Sequence, residues 1–221
     1  AALNAQGTQS VAVGYLAGNA DQAASSVAIG VAAGSNSQGT LSVAVGIDAG
    51  KASQGTSTVA IGRSAGTNAQ GAYSTAVGNS AGKVSQAASA TAIGNLAGSN
   101  AQGTLSVAVG NQAGQVSQGT SAVAIGRSAG INAQGNNSTA VGFYAGSNSQ
   151  GADSVAIGVL AACNAQGTQS VAIGSSAGKA SQGDYATAVG RAAAVNAQGD
   201  YSTAVGFEAG SGDQGANSVA V

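Results

Sequence analysis

A sixteen-residue unit recurs along this 221-residue chain without a slip, and that period leaves few folds open. Its glutamine falls at Gln6, Gln22, Gln38 and onward to Gln214. A glycine closing a short apolar run falls at Gly14, Gly30, Gly46 and onward to Gly206. Gln182 to Ala194 is one full instance: Gln-Gly-Asp-Tyr-Ala-Thr-Ala-Val-Gly-Arg-Ala-Ala-Ala. A unit this short cannot bury an apolar face by itself, so its copies must stack into coils that shelter one another.

Within the unit, Ser10-Val11-Ala12-Val13 alternates with period two, which predicts a strand with two different faces. One face carries Val or Ile at Val13, Ile29, Val45 and their equivalents, behind Val11 or Val27 in most copies and Thr75, Thr91, Thr139, Thr187 or Thr203 in others. The opposite face is always Ala, from Ala12 to Ala220, so another surface must lie very close to it. The glycine after the strand permits a corner. A second short extended piece follows, and Gln-Gly closes the coil. No 3.6-residue periodicity is present, and glycine returns too often for a helix.

The expected fold is therefore all-β: one parallel β-roll or β-solenoid over residues 1–221, with about fourteen coils of sixteen residues. At a strand spacing of ~4.8 Å such a stack would run roughly 65 Å. Val and Ile are expected to fill the roll, and a small-residue face is expected to meet neighbouring chains in a homotrimer. Exact register would also stack the glutamines into an amide ladder.

Composition supports the thin coil. With 37 glycines, 3% aromatics and no Pro, Met, Trp or His, an ordinary globular core cannot be built. A content of 43% hydrophobic and only 6% charged residues sets the chain apart from disordered sequences. The net charge of −1 gives no pull toward nucleic acid. No apolar run reaches the roughly eighteen residues of a membrane-spanning helix. The last unit stops at Val221, one residue short of the next corner glycine, as in a fragment of a longer chain.

Four-unit blocks repeat as well: residues 34–78 and 98–142 agree at most positions, and Arg63, Arg127 and Arg191 stand 64 residues apart. Block duplication accounts for this without a ligand.

Catalytic chemistry has no footing. Serine is abundant, but there is no His and no Lys or carboxylate spacing that marks an activated nucleophile. The acids Asp21, Asp48, Asp153, Asp184, Asp200, Glu208 and Asp213 occupy variable slots and do not form a calcium-binding nonapeptide. The reading is no enzyme, no cofactor and no metal. Cys163, the single cysteine, sits in a tolerant slot that elsewhere holds Ser99, Lys83, Gln115 or Ile131.

Large side chains are confined to variable slots: Tyr73, Tyr185 and Tyr201 before the strand, and Tyr15, Phe143, Tyr144 and Phe207 after the corner. Tyr185 and Tyr201 are one coil apart and should stack, which by itself is a stabilising cross-strand pair. Tyr185, Arg191, Tyr201, Phe207 and Glu208 are nevertheless the densest group of large side chains. Exposed Tyr with Arg is common at binding hot spots, so these five are the candidate partner-binding residues.

The strand Ser-Val-Ala-Ile-Gly, intact at 26–30, 154–158 and 170–174, with the Ala and Gly that follow, resembles the head repeats of YadA-like trimeric autotransporter adhesins. The resemblance covers essentially the whole chain. It implies a left-handed parallel β-roll, three chains around one axis, and display on the outer membrane of a Gram-negative bacterium. The implied partners are host extracellular-matrix or cell-surface proteins. Contact with the membrane would come only through an anchor domain outside this sequence, as would the export signal. The family's collagen-linked Asn-Ser-Val-Ala-Ile-Gly motif is approached only at Asn217-Ser218-Val219-Ala220-Val221 and, more loosely, at Asn137-Ser138-Thr139-Ala140-Val141.

Two other readings compete with the adhesin. A structural spacer projecting a separate tip would also need uniform coils. An ice-binding solenoid would need unbroken Thr arrays, but Thr40 and Thr56 give way to Ala72 and Ala88 in the same slot.

Overall fold

The computed structural model describes residues 6–221 and divides the chain into two units, 1–112 and 113–221. In the first, three-residue strands at Val11–Val13, Val27–Ile29, Val43–Val45 and so on to Val107–Val109 pair in parallel to form one sheet. Ala20–Gln22, Asn36–Gln38 and their successors to Asn100–Gln102 form a second. Each residue pairs with the one sixteen positions on, as Ala28 does with Ala44 and Gln22 with Gln38. The second unit repeats this from Val123–Ile125 to Val219–Ala220 in one sheet and from Val116–Gln118 to Ala197–Gln198 in the other. Each unit is a parallel β-solenoid with sixteen residues per turn.

Main-chain hydrogen bonds run from coil to coil around the turn as well as through the strands. Val27 N donates to Ser42 O at 2.9 Å, Gly30 N to Val13 O at 2.8 Å and Ala32 N to Tyr15 O at 2.8 Å. Most of these backbone groups are thus satisfied by a neighbouring copy, with weaker bonds such as Ala17 N to Gly14 O at 3.4 Å inside a coil, which is why no coil is stable alone.

The interior is the reverse of the expected one. Ala28, Ala44, Ala124 and Ala156 are fully buried, as are Ala33, Ala49, Ala129 and Ala161 of the facing turn. Val and Ile do not fill the roll: Ile29, Ile61, Ile93, Ile125 and Ile157 point outward and remain about 40% exposed. Sterics decide this. The two walls are so close that a Cβ added to Gly66 would stand 3.3 Å from the Cβ of Ala60. Where the strand alanine faces this turn, no branched side chain fits between the walls, so the branched residues take the outer face.

Ser and Gln complete the interior. Ser26 and Ser154 are fully buried, and their hydroxyls donate to Ala23 O and Gly151 O, each at 2.6 Å, closing the turn before the strand. Gln150, 3% exposed, spans the roll, and its Nε2 donates to Thr139 O at 2.8 Å. Gln38, Gln70, Gln102 and Gln182 make the equivalent bond. The expected amide ladder therefore yields to a bridge between the two walls. Ladder contacts are found at Gln54 to Gln70 (3.3 Å), Gln86 to Gln102 (3.1 Å) and Gln118 to Gln134 (3.1 Å). A main-chain carbonyl buried in the roll needs a donor more than a neighbouring amide does.

The glycine before the second strand holds φ near +50° and lies against the glutamine amide; a Cβ on Gly146 would be 2.6 Å from Gln150 Oε1. Ala162 and Ala194 occupy that slot at φ 45° and 49°. An L-residue in the left-handed region costs about 1–2 kcal/mol, partly offset by the entropy that glycine loses on folding. Ala162→Gly and Ala194→Gly are each expected to stabilise the protein by about 0.5–1 kcal/mol, read as a higher midpoint in thermal unfolding.

Candidate functional site

The position two residues before the strand and the one directly after the corner glycine hold the exposed aromatic side chains Tyr15, Tyr73, Phe143, Tyr185, Tyr201 and Phe207. Both edges use left-handed backbone: Tyr185, Tyr201 and Glu208 have φ of 57°, 56° and 57°. Their equivalents Ser25, Ser57 and Ser121 share it. Bulky residues here carry a backbone cost that short polar ones bear more easily.

Of the five candidate residues, the structure forms two separate pairs. The Tyr185 and Tyr201 rings stack with centroids 4.9 Å apart and planes within 4°, and both are exposed. They stand at the edge where strands Thr187–Val189 and Thr203–Val205 begin. Arg191 follows the first of these strands, and its guanidinium lies 5.2 Å above the Phe207 ring, not over either tyrosine. Closeness in sequence therefore spans the outer face of two strands. Glu208 lies beside Phe207, where its N–H donates to Arg191 O at 3.0 Å.

Around the tyrosines, Asp184 Oδ1 accepts from Thr168 N at 2.7 Å, and Asp200 Oδ1 accepts from Asp184 N at 2.9 Å. Each aspartate caps an outward N–H of the coil before it, and Asn136 does the same for Thr120 at 2.9 Å. These acids thus support the turn that presents the aromatic pair.

Sequence reasoning missed a second arginine–ring pair. Arg127 lies 5.4 Å above Phe143, whose ring meets Tyr144 edge-on at 4.6 Å. The available signal was the spacing: Arg127 and Phe143, like Arg191 and Phe207, are sixteen residues apart in one slot. Asn79, Asn95 and Asn111 share that slot, and the exposed Asn111 Nδ2 donates to Asn95 Oδ1 at 3.1 Å.

Between the two edges runs the Val/Ile face, an uncovered stripe of branched side chains in each unit. No pocket opens among the described residues. Cys163 is a half-buried free thiol whose Sγ lies 3.4 Å from Ser147 Oγ.

Residues 117–145, 133–161, 164–177 and 181–209 match the family model of the YadA head domain repeat. Those segments of the chain are similar to YadA head repeats. All five candidate residues fall in the matched segment 181–209, and Arg127, Phe143 and Tyr144 fall in the two overlapping ones. The matched repeats lie in the second unit, and the first unit has the same coil, with Gln, Ala and corner glycine in the same places. No match was found among curated proteins or solved structures.

Proposed function

We propose that residues 1–221 are a repeat domain forming the head of a trimeric surface adhesin, without catalytic activity. It attaches a Gram-negative bacterium to host cells, extracellular matrix or other cells. The match to the YadA head repeat carries this reading. An all-β roll with a sealed interior and an outward apolar stripe supports it.

The stripe bears on the trimer. Water-exposed Val and Ile in successive rungs form an apolar surface that monomeric proteins rarely leave open. A second and a third copy of the same chain are the occupants that fit, because the stripe has the same period as any copy laid beside it in register. Charge does not oppose this, since the strands that bear the stripe carry none.

Adhesion is assigned to the edges of that face. Tyr185 with Tyr201, and Arg191 with Phe207 and Glu208, are the large groups that the second unit holds out at its C-terminal coils. Alanine at Tyr185, Arg191 and Tyr201 together is expected to weaken binding to host cells or matrix by about 1 kcal/mol or more, with thermal stability nearly unchanged. Adhesion assays on the isolated head decide it. Unaltered binding would remove these residues from the site, and no binding by the unmodified head would favour a spacer.

A further inference from the structure

We propose that Arg127 with Phe143 and Arg191 with Phe207 are two copies of one carboxylate-binding site, built to take Asp or Glu side chains of a partner protein. The inference deepens the adhesin reading by giving one of its pairs a chemistry, and it adds Arg127, which that reading does not use.

Three observations carry it. Each guanidinium stands over a ring contributed by the next coil, at 5.4 and 5.2 Å, so the ring covers one face of the cation and leaves its N–H edge available. Stacking fixes the plane of an otherwise flexible side chain, which lowers the entropic cost of a two-pronged bond to carboxylate. Neither arginine has an acid within ion-pair distance; among the described residues the ion pair is Lys51 with Asp48 at 2.9 Å. The arrangement also occurs twice in one slot, 64 residues and four coils apart.

Arg63 occupies the same slot but faces the Asn79 amide in place of a ring, and so serves as an internal control. The two sites also differ in one neighbour. Tyr144 stands in the slot beside Phe143, whereas Glu208 stands beside Phe207 and repels an incoming carboxylate. Arg127 is therefore the stronger site.

A protein carboxylate fits better than a sulfated polysaccharide. Polyanions need a continuous basic track. This chain has six cations against seven acids, and its two stacked arginines are about 19 Å apart at ~4.8 Å per coil.

The test is a titration of the intact protein with N-acetylglutamate amide, and separately with a sulfated heparin disaccharide, at constant ionic strength. The arginine Nε–Hε signals are followed by NMR and assigned through single Arg→Lys variants. Arg127 and Arg191 should saturate with the glutamate probe, Arg127 at the lower concentration, and Arg63 should move far less. Phe143→Leu and Phe207→Leu should each weaken only the paired arginine, by roughly two- to fivefold. Three arginines responding alike, or Phe→Leu variants without effect, would overturn the site. Tighter binding of the sulfated probe would overturn the choice of partner. Because the titration reads the arginines directly, a head that fails to adhere could still pass it, and an adhering head could fail it.

Discussion

Gln150→Glu is expected to cost the folded protein about 3–5 kcal/mol at neutral pH, the usual penalty for a buried charge left without a partner. Gln150 crosses the roll with 3% of its surface exposed and donates from Nε2 to Thr139 O at 2.8 Å. A carboxylate would turn that donor into a second acceptor facing a carbonyl. The new acid would have a folded-state pKa above its unfolded value of about 4.3, since burial and the facing oxygen both favour the protonated form. Its protonated form can still donate to Thr139 O. The loss should therefore be smallest below about pH 4 and grow as pH rises through the unfolded pKa. Denaturant unfolding across that range checks it. Gln150→Met, which removes the donor without adding charge, should cost about 1–3 kcal/mol with no such pH dependence.

Lysine on the Val/Ile face is expected to have the opposite character: large for assembly, small for the coil. Ile93, Ile125 and Ile157 lie on the outer face and are about 40% exposed in the single chain. Covering the remaining area of each isoleucine contributes on the order of 1 kcal/mol, and the stripe repeats this rung after rung. A charge placed there in three chains at once must either be desolvated or keep the chains apart. Ile93→Lys with Ile125→Lys and Ile157→Lys should lower the association constant by several orders of magnitude. In the unmodified protein the thermal midpoint should rise with concentration, and in the variant it should not.

The period made the fold legible in the sequence: sixteen residues, two short strands, parallel register and the corner glycine all appear where the repeats place them. The always-Ala column also announced a close surface. What pattern could not settle was which face is inside, because period-two alternation labels two faces without naming the core. The usual rule sends Val and Ile inward, but here Ala60 and Gly66 bring the walls too close for them. The glutamine column suggested its neighbours as partners, while the nearer need lay across the roll, at carbonyls such as Thr139 O. For the candidate site, the stacking of Tyr185 on Tyr201 was legible from their one-coil spacing. Arg191 was placed with them because linear distance hides the strand between; its partner Phe207 comes from the next coil. Arg127 over Phe143 follows from the same sixteen-residue offset.

The roll holds alanine, serine and glutamine inside, and its Val/Ile face is proposed to join three chains. Sedimentation equilibrium of the unmodified chain beside the Ile93, Ile125 and Ile157 lysine variant, with far-ultraviolet circular dichroism on the same samples, tests it most directly. The expected result is a mass near three times 20.3 kDa for the unmodified chain, and near 20.3 kDa for a variant that keeps its β-sheet spectrum. Loss of the β-sheet spectrum in the variant would place those isoleucines in the interior. A folded unmodified chain that sediments as a single copy would contradict the three-chain face.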